Sequence, residues 1–134
     1  KTDAKFPFRI AYQLPINVKF TENVDTKTEV IPYTFEDSLA FENIALFRTL
    51  PGSGLAAKLR EASNMATADS ASLAMFEALK KGAKAELALN LLYEVDPKTL
   101  NVPLYIAEGL KWLSEQLSGS KENISVPQAT AQSA

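Results

Sequence analysis

The hydrophobic pattern of this chain changes period near residue 34. Before that point, Phe8, Ile10 and Tyr12 alternate with Arg9, Ala11 and Gln13, the period of two expected of a strand. The stretch Phe8 to Val18 therefore reads as a strand interrupted by Pro15, which lacks the N–H a sheet ladder requires and so marks an edge, a bulge or the strand's end. Asn23 to Lys27 is polar and turn-like, and Thr28 to Tyr33 reads as a second short strand ended by Pro32. The two could pair as a hairpin or lie apart in a mixed sheet.

From Thr34 onward the apolar positions recur at helical spacing. Phe35, Leu39, Leu46 and Leu50, with Phe41 and Ile44 beside them, predict a helix that Pro51-Gly52-Ser53-Gly54 stops. A short amphipathic helix follows over Leu55 to Met65. The next is capped by Asp69 or Ser70 and runs through Leu73, Phe76 and Leu79 to Gly82, a C-cap residue. Ala85 to Glu94, opened by Lys84, is apolar on most sides and predicts a buried helix. Asp96-Pro97-Lys98 breaks the chain. Asn101-Val102-Pro103 starts a last helix whose inner stripe is Ile106, Leu110, Leu113 and Leu117, with Gly119 as its end. Residues 118–134 have the composition of a flexible tail. The expected fold is thus α/β, with two or three short strands followed by about five helices.

The 134 residues suffice for one domain or a piece of a larger one, and 46% hydrophobic residues allow a core. Because the first residue is Lys1 and not Met, a processed product or a fragment is expected. With no Cys and no His, these residues supply no structural zinc site, no Cys or His nucleophile and no Ser-His-Asp triad. The absence of Cys fits a reducing compartment, and no apolar run reaches membrane-spanning length. A net charge of −2 without a basic block means that any contact with nucleic acid is local, or relies on a metal or a neighbouring domain.

The richest chemistry lies in Thr34-Phe35-Glu36-Asp37, a hydroxyl and two adjacent carboxylates at a strand-to-helix junction. Oxygen ligands of this kind suit a hard cation such as Mg²⁺ or Mn²⁺. The plainer reading is that Thr34 caps a helix, Asp37 answers it three residues on, and Glu36 adds favourable charge at the positive helix end. Lys84 is a second candidate, either a solvated boundary residue or a fixed positive charge beside a phosphoryl transition state. Arg9, Tyr12 and Trp112 could be taken for a base-stacking surface, but core burial explains their spacing better. Glu94-Val95-Asp96 reads as an exposed, inert helix end.

Several segments occur together in one order: Arg9-Ile10-Ala11-Tyr12-Gln13 with Pro15, Thr34-Phe35-Glu36-Asp37-Ser38-Leu39, Lys84-Ala85-Glu86-Leu87-Ala88-Leu89, Val102-Pro103-Leu104-Tyr105-Ile106 and Leu110-Lys111-Trp112-Leu113. Over about residues 6–117 this series resembles the C-terminal end of the overcoming-lysogenisation-defect (OLD) family of ATP-dependent endonucleases, which join an ABC-type ATPase to a Toprim nuclease. The resemblance implies that the strand ending near Gln13 belongs to a Toprim sheet within residues 1–117 and that about 52–81 is a helical insert. It also implies that Thr34 and Glu36, with Asp37 as runner-up, help to bind a second divalent cation, Mg²⁺ or Mn²⁺. Lys84 would be the catalytic-site lysine. The implied partners are DNA and the upstream ATPase and Toprim segments of a parent protein. Homo-oligomerisation stays open, and the implied setting is cytoplasmic phage defence.

Toprim chemistry also requires an upstream glutamate and an Asp-x-Asp pair. This chain has no Asp-x-Asp, and Gly52-Ser53-Gly54 lacks the lysine of a P-loop. Half of the active site is therefore expected outside these residues. The alternative from another class is a non-catalytic helical interaction module, in which Thr34 to Asp37 only cap a helix and a partner docks on the face carrying Phe41 and Phe47.

Overall fold

A computed structural model describes residues 10–23 and 25–132, with side chains through Gly119. The fold is mixed α/β with a small sheet. Two short strands, β1 (Ile16–Val18) and β2 (Thr28–Val30), are followed by α1 (Phe35–Glu42), α2 (Ile44–Phe47), α3 (Leu55–Ser63), α4 (Ala68–Lys81), α5 (Lys84–Glu94), a 3-10 turn at Pro97–Thr99, and α6 (Leu104–Gln132). The chain divides into two compact units, one of residues 13–104 and one combining residues 1–12 with 105–134.

In the first unit β1 and β2 pair antiparallel, with Ile16 opposite Val30 and Val18 opposite Thr28. Their pleat turns Ile16, Val18 and Val30 into the core, joined by Phe20. The strand lies after Pro15, not before it: among the described residues, Ile10 to Pro15 contains no strand, and Ile10 and Tyr12 are exposed. Phe8 and Arg9 of the expected strand lie outside the described residues. Both sides of Pro15 alternate, but among the described residues only Ile16–Val18 has a partner strand to pair with.

The expected single helix from Thr34 to Leu50 is broken at Asn43 into α1 and α2. Asn43 is buried, and its side-chain NH₂ donates to the carbonyls of Leu39 (2.9 Å) and Asn101 (2.9 Å). Its Oδ1 accepts the Asn101 N–H at 2.7 Å. One amide thus ends α1 and fastens the approach to α6. Phe41 and Phe47, expected on a docking face, are instead core residues, and Phe35 is partly exposed.

Helices α3 and α4 form the main helical pairing, floored by Leu59, Ala62, Ala71, Met75 and Ala78. The inner face of α4 is Ala68, Ala71, Met75, Ala78 and Leu79, so Leu79 is buried as expected whereas Leu73 is exposed. Its alanines allow close backbone approach to α3. Thr67, rather than Asp69 or Ser70, caps α4 by accepting the Ser70 N–H. The turn before α3 uses two left-handed glycines, Gly52 (φ 120°) and Gly54 (φ 60°). Gly82 does close α4, but with φ −81°, so no left-handed bend requires it. A Cβ there would lie 2.6 Å from Leu55 Cδ1 and 2.9 Å from the Ala78 carbonyl oxygen. Close approach excludes a side chain at that position.

Helix α5 departs most from expectation. It is not buried: Leu87 alone is fully covered, while Leu89, Leu92 and Tyr93 stand exposed. With Ala85 and Ala88 they form an outward stripe at positions i, i+3, i+4, i+7 and i+8.

In the second unit, Gly109 of α6 passes so close to Ala11 that a Cβ would approach it to 3.1 Å. Leu110, Leu113 and Leu117, expected as an inner stripe, are exposed. The helical backbone continues to Gln132 without stopping at Gly119. Among the described residues, no helix is long and apolar enough to cross a membrane.

Candidate functional site

The site begins at the junction of β2 and α1. Pro32 is buried and the chain bends through Tyr33 into Thr34, whose extended backbone (φ −132°, ψ 173°) makes it the N-cap of α1. The Thr34 hydroxyl accepts the Asp37 N–H at 3.3 Å, and Asp37 Oδ1 accepts the Thr34 N–H at 2.7 Å, completing a capping box. Asp37 does more than the motif requires. Its Oδ1 also accepts the Thr34 hydroxyl proton at 3.0 Å, and its Oδ2 accepts the Tyr33 N–H at 2.8 Å.

Asp37 is fully buried. Both of its oxygens are committed to Tyr33 and Thr34, so it serves the junction and leaves Glu36 as the carboxylate with a side facing out. A ring contact braces this junction on α4: Tyr33 lies 5.1 Å from Phe76, over which the Lys80 ammonium sits at 4.4 Å.

Glu36 occupies the second position of α1, where the positive helix end favours its charge. The structure brings it to Lys84, 48 residues away in sequence. The Lys84 ammonium lies 3.2 Å from Glu36 Oε1 and 3.4 Å from Oε2, so it straddles both oxygens. The pair is in direct contact rather than separated by a cleft. The Glu36 side chain is 19% exposed and that of Lys84 is 48% exposed.

Lys84 opens α5, whose preceding residue, Ala83, provides no side-chain cap. A cation there opposes the dipole of its own helix, so Lys84 does not serve α5. It is compensated from α1 by Glu36. Two helix starts thus meet with one anion and one cation between them.

Burial alone would raise the pKa of Glu36. It is outweighed by the Glu36 backbone N–H, then the Thr34 side chain and the Lys84 ammonium, so the group titrates below the ordinary 4.5. Thr34 has one hydroxyl proton, so its bond to Asp37 and its support of Glu36 are alternatives. A carboxyl with a lowered folded value stabilises the fold fully above its unfolded value and loses that contribution as pH falls through the folded one. Glu36→Gln is therefore expected to lower stability by about 0.5 kcal/mol near neutral pH, the scale of a half-exposed ion pair, and by less as pH falls below 4.5. Urea unfolding of both proteins across this range measures it; a deficit that grows toward acid would contradict the assignment.

Glu42 behaves in the opposite sense. Burial raises its pKa above 4.5, only partly opposed by the Leu104 N–H, which donates to its carboxylate at 2.8 Å. Its contribution is present below 4.5 and is lost as pH rises through the folded value. Glu42 and Asn43 together hold the Asn101–Leu104 segment. Sequence reasoning missed both, because their partners lie 58 and 62 residues away and no local pattern marks them.

As a donor set for a hard cation, these residues are partial. Among the described residues, no three Asp, Glu, His or Cys side chains converge as a metal site. Glu36 supplies one two-oxygen carboxylate that already holds a cationic group, and Thr34 supplies a nearby hydroxyl. A hard cation such as Mg²⁺ or Mn²⁺ takes six or more oxygen ligands, more than these two residues supply. No protein family, curated protein or solved structure matches this chain.

Proposed function

We propose that this chain is the C-terminal part of a metal-dependent DNA endonuclease of the OLD type. In this reading Glu36 is a ligand of one divalent cation, Thr34 supports that carboxylate, and Lys84 places a positive charge against the scissile phosphate. The observation that carries the reading is the meeting of Glu36 and Lys84, each at a helix start, across 48 residues of sequence. A cap needs Thr34 and Asp37 but has no use for Lys84. An active site for phosphodiester hydrolysis needs a carboxylate for the metal and a cation for the phosphate in one place.

When bound, the cation would activate water and stabilise the leaving oxygen. The chain's own residues do the positioning. Asp37 locks Thr34 and so fixes the direction in which Glu36 leaves α1, while the stem of Lys84 carries its charge across from α5. The remaining ligands and the ATPase are assigned to other parts of the parent protein, acting on DNA in the cytoplasm.

The test is plasmid cleavage by the parent polypeptide in Mg²⁺ or Mn²⁺. Glu36→Ala is expected to abolish cleavage, and Lys84→Ala to lower turnover about 100-fold with DNA affinity nearly unchanged, because a charge used in the transition state acts on rate. Cleavage that survives Glu36→Ala would refute the assignment.

One observation favours the second reading, a non-catalytic interaction module: the outward stripe of Leu89, Leu92 and Tyr93 on α5. In that case the docking face is α5, since Phe41 and Phe47 are buried. Glu36→Gln would then alter stability alone, and Tyr93→Glu would impair association.

A further inference from the structure

We propose that the outward face of α5 is a self-association surface, on which a second copy of this chain lays its own α5 antiparallel about a two-fold axis near Leu89. The face consists of Ala85, Ala88, Leu89, Leu92 and Tyr93, on the side of α5 away from the buried Leu87. Leu89, Leu92 and Tyr93 are 56%, 70% and 86% exposed, and no charged residue interrupts the stripe. The proposal rests on the second reading only in taking α5 as the docking face, and gives that face a partner. It holds whether or not Glu36 takes a metal ion.

Size selects the direction. The face begins small, with Ala85 and Ala88, and ends large, with Leu92 and Tyr93. Parallel copies would set large against large at one end and leave the alanines facing across a gap at the other. Antiparallel copies set Leu92 and Tyr93 against Ala85 of the second copy, and Leu89 against its Ala88, so the contact fills evenly. The arrangement is self-complementary, as a two-fold interface must be.

Charge selects the same direction. Lys81 and Lys84 stand at the start of α5 and Glu94 and Asp96 at its end, all exposed. Both ends oppose the helix's own dipole, which favours anions at its start and cations at its end. Glu36 compensates Lys84, but among the described residues Lys81, Glu94 and Asp96 form no ion pair. An antiparallel second copy brings the acidic end of one α5 level with the basic start of the other. A charge order that disfavours one helix thus suits a pair of them. Area sets the strength: α5 has 11 residues, and two helices about 16 Å long bury less than the roughly 1,200 Å² of a stable interface. The dimer therefore forms and separates readily.

The experiment is sedimentation equilibrium of the full chain from about 0.01 to 1 mM, within which a monomer–dimer equilibrium is expected. Leu92→Glu should raise the dissociation constant at least about tenfold, since two leucines lose their burial in each dimer. Circular dichroism checks that this exposed substitution leaves the helices formed. Direction is read by disulfide formation in a glutathione buffer, because the chain has no cysteine of its own. Leu89→Cys, on the axis, should link to itself, a bond that needs Cα atoms about 4.4–6.8 Å apart. Ala85→Cys should not, whereas a mixture of Ala85→Cys and Tyr93→Cys should yield the mixed dimer.

A chain that stays monomeric to about 1 mM overturns self-association and leaves the second reading with a different protein as partner. A dimer indifferent to Leu92→Glu takes the contact away from α5 and removes that face from both. Self-linking of Ala85→Cys without the mixed product overturns the antiparallel arrangement.

Discussion

Replacing Phe47 with alanine is expected to destabilise the fold by about 4 kcal/mol, from lost burial plus the cavity left behind. Phe47 is wholly inaccessible to solvent and ends α2, a helix of only four residues whose N-cap makes no side-chain hydrogen bond to it. So short a segment has little helical stability of its own, and is held by what its side chains bury. The ring joins a core that includes Phe41, Leu50 and Leu59, all nearly or fully covered. Phe47→Leu keeps most of that volume and should cost less than half as much. Urea unfolding measures both; a loss below about 1.5 kcal/mol for the alanine variant would mean that the core closes around the gap.

Asp37→Ala is expected to lower stability by about 3 kcal/mol, combining the loss of a helix cap with two backbone amides left without an acceptor. The amides are those of Tyr33 and Thr34, and the Thr34 hydroxyl loses its acceptor as well. Asp37→Asn should be nearly as damaging, because its NH₂ group must face either the Tyr33 N–H or the Thr34 donors. The neighbouring Glu36→Ala should cost under about 1 kcal/mol, as expected for a partly exposed ion pair. If Asp37→Asn proved harmless, the carboxylate would not be the acceptor that closes the junction.

These two adjacent carboxylates show what could be read from the sequence. The cap was legible because Thr34 and Asp37 stand three apart before an apolar run, a local rule satisfied by local atoms. The same residues do not reveal that Asp37 is buried and Glu36 reaches outward. That follows from Tyr33 turning its N–H back onto Asp37 and from Lys84 arriving on another helix.

Pairing decided the strands in the same non-local way. Ile10–Tyr12 and Ile16–Val18 both alternate, and of these described residues only Ile16–Val18 pairs with β2. On α4, large side chains suggested a stripe through Leu73, Phe76 and Leu79; Leu79 is buried, but the rest of the inner face is Ala68, Ala71, Met75 and Ala78. The composition of α5 suggested burial because its apolar residues cover most sides, but a helix at the rim of a small unit has neighbours on one side only. The break at Asn43 had no sequence signal, since the amide that makes it binds the backbone of Asn101, 58 residues downstream.

The position of Lys84 has a less obvious origin. Helix α5 is clipped to the glycine turn by the Asn90 side chain, which donates to the Pro51 carbonyl at 2.6 Å and leaves no room for a side chain on Gly52. Just before α5, the missing side chain of Gly82 is replaced by Leu55 from the start of α3. Both fastenings lie on the helical hairpin side of the unit, so α3 and its turn act as a gauge block for a contact in which they take no part. An added methyl group at Gly82 would meet Leu55 and the Ala78 carbonyl oxygen within 3 Å, so the chain just before α5 would have to shift. The separation of the two charges is therefore machined by residues that carry no charge.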